Sequence, residues 1–140
     1  MYSITDSTIF DILNTKDDVR LVIQQERARD TGNGSRSDTL SSWDKLDALN
    51  TKFTGHIRCL SGSGYTIMHM KTFIFCGLSS SNKPVPYAVW SGSLNPTNNG
   101  SHSLNEGFYI TDHDIVKAVT SNFLQVYSGS WELAAKVTRT

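Results

Sequence analysis

His69 and Lys71 are separated by one residue, the spacing that puts an imidazole and an ammonium on the same face of an extended chain. Downstream, the loop Gly92-Ser93-Leu94-Asn95-Pro96-Thr97 offers a hydroxyl and an amide at alternate positions, both neutral donors to a phosphate oxygen. Glu106 adds a carboxylate that can accept from the imidazole Nδ1–H and so fix the ring tautomer. Phosphoryl transfer is mainly a matter of positioning and charge stabilisation. Without a metal, the charge spreading over the phosphate must be met by Lys71 and by donors such as Ser93 and Asn95. His69, oriented by Glu106, supplies the nucleophile, giving a phosphohistidine that water resolves.

Taken singly, each of these residues has an ordinary reading. Ser93 and Asn95 are common turn formers, Glu106 can be a solvated charge at a strand end, and a His-x-Lys pair alone is a weak signal. Their order along one chain is what gives them weight. His56, His102 and His113 have no neighbouring lysine or Gly-Ser-x-Asn loop and are read as structural or incidental. Ser61-Gly62-Ser63-Gly64 is followed by no Lys-Ser/Thr pair and reads as a hairpin turn rather than a phosphate loop. Arg20, Arg27, Arg29 and Arg36 are interrupted by Asp17, Asp18, Glu26, Asp30 and Asp38, so they read as a solvated face.

These residues must be carried by regular elements. Ile9, Phe10, Ile12 and Leu13 fall at helical spacing after Thr5 and Asp6, and Val19 to Ile23 forms a short apolar strand. Glu26 to Ser42 is polar, without apolar period, and reads as a mobile loop; Trp43, Leu46 and Leu49 then mark a short amphipathic helix. Ile57 to Leu60, Tyr65 to Met68, Thr72 to Cys76, Val85 to Trp90 and Gly107 to Thr111 are strand candidates. Thr111-x-x-Asp114 resembles a capping box, and Ile115, Val119, Phe123 and Val126, with Val116 and Tyr127 beside them, mark one face of a helix of about 14 residues. Alternating helices and strands predict an α/β fold, a mixed β-sheet flanked by helices.

The order His-x-Lys, then Gly-Ser-x-Asn-x-Thr, then Asn-Glu resembles the phospholipase D superfamily, in particular its small nuclease-like members. The likeness covers most of the chain, including Tyr2-Ser3-Ile4-Thr5-Asp6, the Val19 to Ile23 strand, Tyr65-Thr66-Ile67-Met68-His69 and the final helix. It implies a phospholipase D-like α/β sandwich over residues 1–140 as a single domain. In that scheme His69 is the nucleophile, Lys71 and Asn95 bind phosphate, Ser93 is a supporting donor and Glu106 partners the histidine. Gly92, Thr97 and Asn105 complete the motif in supporting positions. Three departures stand out. Cys76 occupies the place of an aspartate that the family carries five residues after the lysine, usually with a structural role. The connection from Cys76 to Val85 is longer than in the smallest members and is expected to shape substrate access. The chain also starts near the end of the first core strand, so the fold is expected to be N-terminally truncated, or its edge covered by a partner.

With 140 residues, 38% of them hydrophobic, the chain suits one compact domain. Thirteen basic residues balance thirteen acidic ones, so no net field draws it to nucleic acid or to an anionic membrane. No apolar run approaches the roughly 18 to 20 residues needed to cross a bilayer, and the N-terminus lacks a secretory pattern. A soluble, cytoplasmic protein is expected. Cys59 and Cys76 sit in no zinc-type spacing, and neither a metal nor another cofactor is expected. The leading expectation is a metal-independent phosphodiesterase hydrolysing nucleic acid. Two alternatives are phospholipid hydrolysis or phosphatidyl transfer by the same intermediate, and a catalytically degenerate binding or assembly module. Because one histidine attacks while the leaving oxygen needs a proton, a homodimer with a composite active site is expected, as the family resemblance also implies.

Overall fold

Asp6 starts the first helix by the mechanism its side chain permits: its Oδ1 accepts from Thr8 N–H at 2.8 Å, satisfying a donor that has no partner inside the helix. In the computed structural model, residues 4, 6–24, 36–60, 70–96, 102 and 104–128 are described, the side chains of residues 24, 36–43 and 58–60 excepted. The chain divides into two compact units, one of residues 1–71 and 94–105, the other of residues 72–93 and 106–140.

The first unit contains α1 (Ser7–Asn14), β1 (Leu21–Gln24), α2 (Arg36–Lys52) and β2 (Ile57–Leu60). Strands β1 and β2 pair in parallel from Leu21↔Ile57 to Gln24↔Leu60, so α2 lies on the crossover that parallel pairing requires. Its apolar core consists of Ile4, Phe10, Val19, Val22, Ile23, Leu46, Leu49 and Phe53, all buried. Helices α1 and α2 pack on each other, and Lys52 Nζ donates to the Asn14 carbonyl at the open end of α1. That cation also lies 5.0 Å above the Phe53 ring, so one side chain serves as C-terminal cap and ring contact.

Helix α2 begins at Arg36, inside the stretch Glu26 to Ser42 that sequence reading assigns to a loop. Its apolar signal is confined to the last turns, where Leu46, Leu49 and Phe53 are buried. Once that end is packed, each preceding residue adds one hydrogen bond, and Arg36-Ser37-Asp38-Thr39 can continue the helix without any apolar period. Residues 25–35, and the expected turn and strand of residues 61–68, lie outside the described residues.

The second unit is an antiparallel sheet in the order β3-β4-β5, formed by Thr72–Leu78, Pro84–Gly92 and Gly107–Ile110, followed by α3 (His113–Tyr127). Part of the connection from Cys76 to Val85 is strand. Strand β3 continues to Leu78, and only Ser79–Lys83 turns, closed by Ser79 N–H to Lys83 C=O and Asn82 N–H to Ser79 C=O, both 2.9 Å. Asn82 takes the left-handed conformation (φ 57°) that asparagine tolerates better than most residues. The register slips between Phe75 and Cys76, so Cys76 faces Pro86 and Tyr87 falls out of register. Pro86 is tolerated there because β5 pairs with β4 only from Val89 onward, leaving no ladder bond on that side for its missing N–H to make.

Helix α3 packs against β4. Its N-cap is Asp112 rather than Thr111: the Asp112 carboxylate accepts from Asp114 N–H at 3.0 Å and Ile115 N–H at 3.1 Å. Its buried positions are Val116 and Val126, while Ile115 is 46% exposed, so the inward stripe is rotated by one residue from the one centred on Ile115. Valine and isoleucine are equally apolar in the sequence pattern, and only the partner surface decides which faces in. The described residues therefore form a mixed α/β protein with three helices, a parallel strand pair and a three-stranded antiparallel sheet. Among them no helix is long and apolar enough to cross a membrane.

Candidate functional site

Two glycines bring the end of β4 against the start of β5. Gly92 faces Gly107 across the strands, and a Cβ at Gly92 would lie 2.3 Å from the Glu106 carbonyl oxygen and 2.7 Å from Gly107 Cα. A Cβ at Gly107 would meet the Trp90 ring at 2.5 Å, since the indole lies over the backbone that a side chain would otherwise occupy. The close approach thus depends on both residues lacking a side chain. Gly92, expected to open the loop, is the last residue of β4.

Beyond that pair the Ser93 loop is locked to the segment before β5. Ser93 N–H donates to the Glu106 carbonyl at 2.9 Å, and Glu106 N–H donates to Ser93 Oγ at 3.0 Å. The ladder therefore continues one step past the strands, with a side-chain hydroxyl standing in for a backbone acceptor. Both residues remain exposed, so the Glu106 carboxylate projects from a backbone held in register. One step inward, Thr72 and Ser91 face each other with hydroxyls 3.2 Å apart, part-buried at the start of β3 and the end of β4.

In the first unit, Asp6 N–H donates to the Pro96 carbonyl at 3.1 Å, tying the segment after Asn95 to the residue that caps α1. Pro96 is buried, and the Asn95 side chain is drawn in with it. Asn95 Oδ1 is buried and has no hydrogen-bond partner among the described residues. Native structures hold few such orphans, because each costs about 1–3 kcal/mol, and those that persist require an explanation. Lys71 is only 3% exposed, the one buried charged residue among those described. Burial pushes its ammonium below the ordinary lysine value of 10.5.

The eight expected positions divide accordingly. Gly92, Ser93 and Glu106 belong to the second unit and are brought together there; Lys71, Asn95 and Asn105 belong to the first. His69 and Thr97 lie outside the described residues. Lys71 precedes β3, which begins at Thr72, so the strand alternation expected to carry His69 and Lys71 does not include Lys71. Cys76 is exposed at the register slip, facing a proline that has no N–H to offer.

His56, read from the sequence as structural, and Asp18 and Arg20, read as a solvated face, form a second polar cluster in the first unit. His56 Nδ1 lies 2.7 Å from Asp18 Oδ1, and Arg20 Nε lies 3.4 Å from Asp18 Oδ2. Leu21 N–H donates to the His56 carbonyl at 3.0 Å, so the cluster joins the starts of β1 and β2. Sites in parallel sheets gather at the carboxyl ends of strands, which makes this cluster a staple of the strand pair. Its only sequence signal was the abundance of charge before β1. No family model, no curated protein and no solved structure matches this chain.

Proposed function

We propose that the chain is a metal-independent phosphodiesterase of the phospholipase D type, hydrolysing nucleic acid through a phosphohistidine on His69. The observation that carries this reading is the Ser93–Glu106 junction, in which Ser93 of the Gly-Ser-x-Asn loop and Glu106 of the Asn-Glu segment, 13 residues apart in sequence, are fixed by reciprocal hydrogen bonds. Turn-forming serines and solvated strand-end glutamates do not require such pairing.

In the proposed reaction the His69 imidazole attacks phosphorus, a nitrogen–phosphorus bond forms and the bond to the leaving oxygen breaks. A second histidine, from the partner copy in a homodimer, protonates that oxygen. Water then attacks the phosphohistidine, releasing the phosphomonoester and restoring the ring. Lys71, Ser93 and Asn95 stabilise the phosphate charge, and Glu106 orients the imidazole. The phospholipase D-like sandwich is the architecture this reading requires.

The test is incubation of the parent chain and His69→Ala with plasmid, single-stranded nucleic acid and phospholipid vesicles, each with and without excess EDTA. Hydrolysis of nucleic acid that survives EDTA and disappears in His69→Ala is expected. Complete loss in EDTA with recovery on added magnesium or zinc would overturn the mechanism, and hydrolysis of vesicles alone would overturn the substrate.

A further inference from the structure

Strand β5 carries two exposed rings, and only one of them shares a face with the Ser93–Glu106 junction. The register Gly92↔Gly107, continued one step by the Ser93–Glu106 hydrogen bonds, sets Ser93 opposite Glu106. Alternation then puts Ser91, Ser93, Glu106 and Phe108 on one face of the sheet. Tyr109 belongs to the other face, with Phe73, Phe75 and Trp90, and meets Phe75 at 6.0 Å across the small, buried Ala88. On the junction's face Phe108 is opposite Ser91, and Ser91 is opposite Thr72, with the two hydroxyls 3.2 Å apart. Phe108 stands two residues beyond Glu106, about 7 Å along an extended strand. It is 65% exposed, so most of the ring is open to solvent beside a strip of hydroxyls.

From this placement we infer that Phe108 is the base-stacking platform of the site proposed above, which makes an unpaired nucleic-acid strand its substrate. The inference rests on the proposed function for the phosphate; the ring and its neighbours choose what lies beside it. A phosphate held at the Ser93 loop lets the sugar of the adjoining nucleotide run along β5, and its base then comes over the Phe108 ring on the same face. The hydroxyls of Thr72 and Ser91 favour a base over hydrocarbon. Their mutual hydrogen bond uses one donor and one acceptor, and a hydroxyl pair has a further donor and further lone pairs to offer. The edge of a base stacked on the ring can meet these groups. An acyl chain laid over the same strip would cover them and satisfy none. Stacking itself needs only an open aromatic face and is available to every base. In a duplex the base faces are already stacked on their neighbours, so the platform selects bases outside a duplex.

The experiment measures fluorescence anisotropy of a labelled oligothymidine, and of a duplex of equal length, with the full chain carrying His69→Ala so that no strand is cut. Adding Phe108→Ala should weaken oligothymidine binding roughly five- to hundredfold. Phe108→Leu keeps apolar bulk on the strand and guards against misfolding; it should weaken binding as well, whereas Phe108→Trp should retain it. Tyr109→Ala, on the opposite face, should leave the affinity unchanged. Equal affinity with and without Phe108→Leu would overturn the inference, as would a loss in Tyr109→Ala as large as that in Phe108→Ala. Absent binding or preference for the duplex would overturn it too, and so would phosphatidylcholine vesicles that bind through Phe108 when oligothymidine does not. Oligothymidine binding that depends on Phe108, while the chain with His69 intact cleaves no phosphodiester, would retain the platform and reject the hydrolase. Cleavage of nucleic acid with binding indifferent to Phe108 would do the reverse.

Discussion

Ser93 and Glu106 extend the β4–β5 ladder beyond its last strand pair: the serine N–H donates to the glutamate carbonyl at 2.9 Å, and the glutamate N–H donates to the serine hydroxyl at 3.0 Å. This reciprocal pairing fixes the backbone on which the Glu106 carboxylate stands. Ser93→Ala removes the hydroxyl that accepts from Glu106 N–H and also donates, at 3.4 Å, to its carbonyl, so Glu106 N–H is left to water. Because the junction is exposed, the loss of stability should be modest, about 0.5–1 kcal/mol by urea denaturation. Turnover should fall much further, since the carboxylate loses its fixed base. An equal, small effect on both would reduce Ser93 to a turn former.

The Gly92–Gly107 approach makes an opposite pair of expectations for two glycines in one sheet. Gly92→Ala forces a methyl against backbone atoms that cannot yield, so it should cost about 1–3 kcal/mol or more. Gly77→Ala meets nothing within 4 Å and has ordinary strand geometry, so stability should be unchanged or slightly raised. Thermal midpoints of the two variants check this directly, and equal shifts would show that the strands do not approach as described.

Lys71 makes the pH dependence specific. Its ammonium is held below the ordinary value of 10.5 by burial, so as pH rises the folded chain releases that proton before the unfolded chain does. Between the lowered value and 10.5 the unfolded state binds more protons, and stability should therefore rise with pH. Below that window the burial cost is present in full; above it the cost is gone. Lys71→Met should lack this rise, measured as the difference in unfolding free energy between the two chains across alkaline pH. Turnover should move the opposite way, with an alkaline limb below 10.5, because the phosphate needs the charged form.

Asp112 accepts two backbone N–H groups at the start of α3. Asp112→Ala should therefore cost about 1 kcal/mol, within the range of about 0.5–2 for lost N-caps, whereas Thr111→Ala should be nearly silent. Equal effects in chemical denaturation would restore Thr111 to the cap.

A composite site predicts a particular mixing law. When parent and His69→Ala chains are refolded together in varied proportions, mixed dimers lack either the nucleophile or the acid, and turnover should fall as the square of the parent fraction. Strict linearity, or full activity of a sedimenting monomer, would mean that each copy works alone.

The strands β2, β3 and β4 and the helix after Asp112 were legible because each depends on nearest neighbours: short β-branched and aromatic runs for the strands, an apolar helical period for the helix. The types of the candidate residues were legible for the same reason, since His-x-Lys and Gly-Ser-x-Asn are local strings. What remained hidden was non-local. A polar segment gives no sign that it will continue a helix, and Arg36 to Ser42 are helical only because Leu46, Leu49 and Phe53 are packed downstream. Ile115 and Val116 are interchangeable in an apolar pattern, so their inside and outside were decided by the surface against which α3 lies. The burial of Lys71, the stranded Asn95 oxygen and the meeting of Phe75 with Tyr109 over Ala88 involve residues far apart in sequence. The sequence by itself determined which chemical groups were present and most of the elements that carry them. Only the tertiary structure decided which groups face each other, because register, burial and ring contact arise between segments that carry no record of one another.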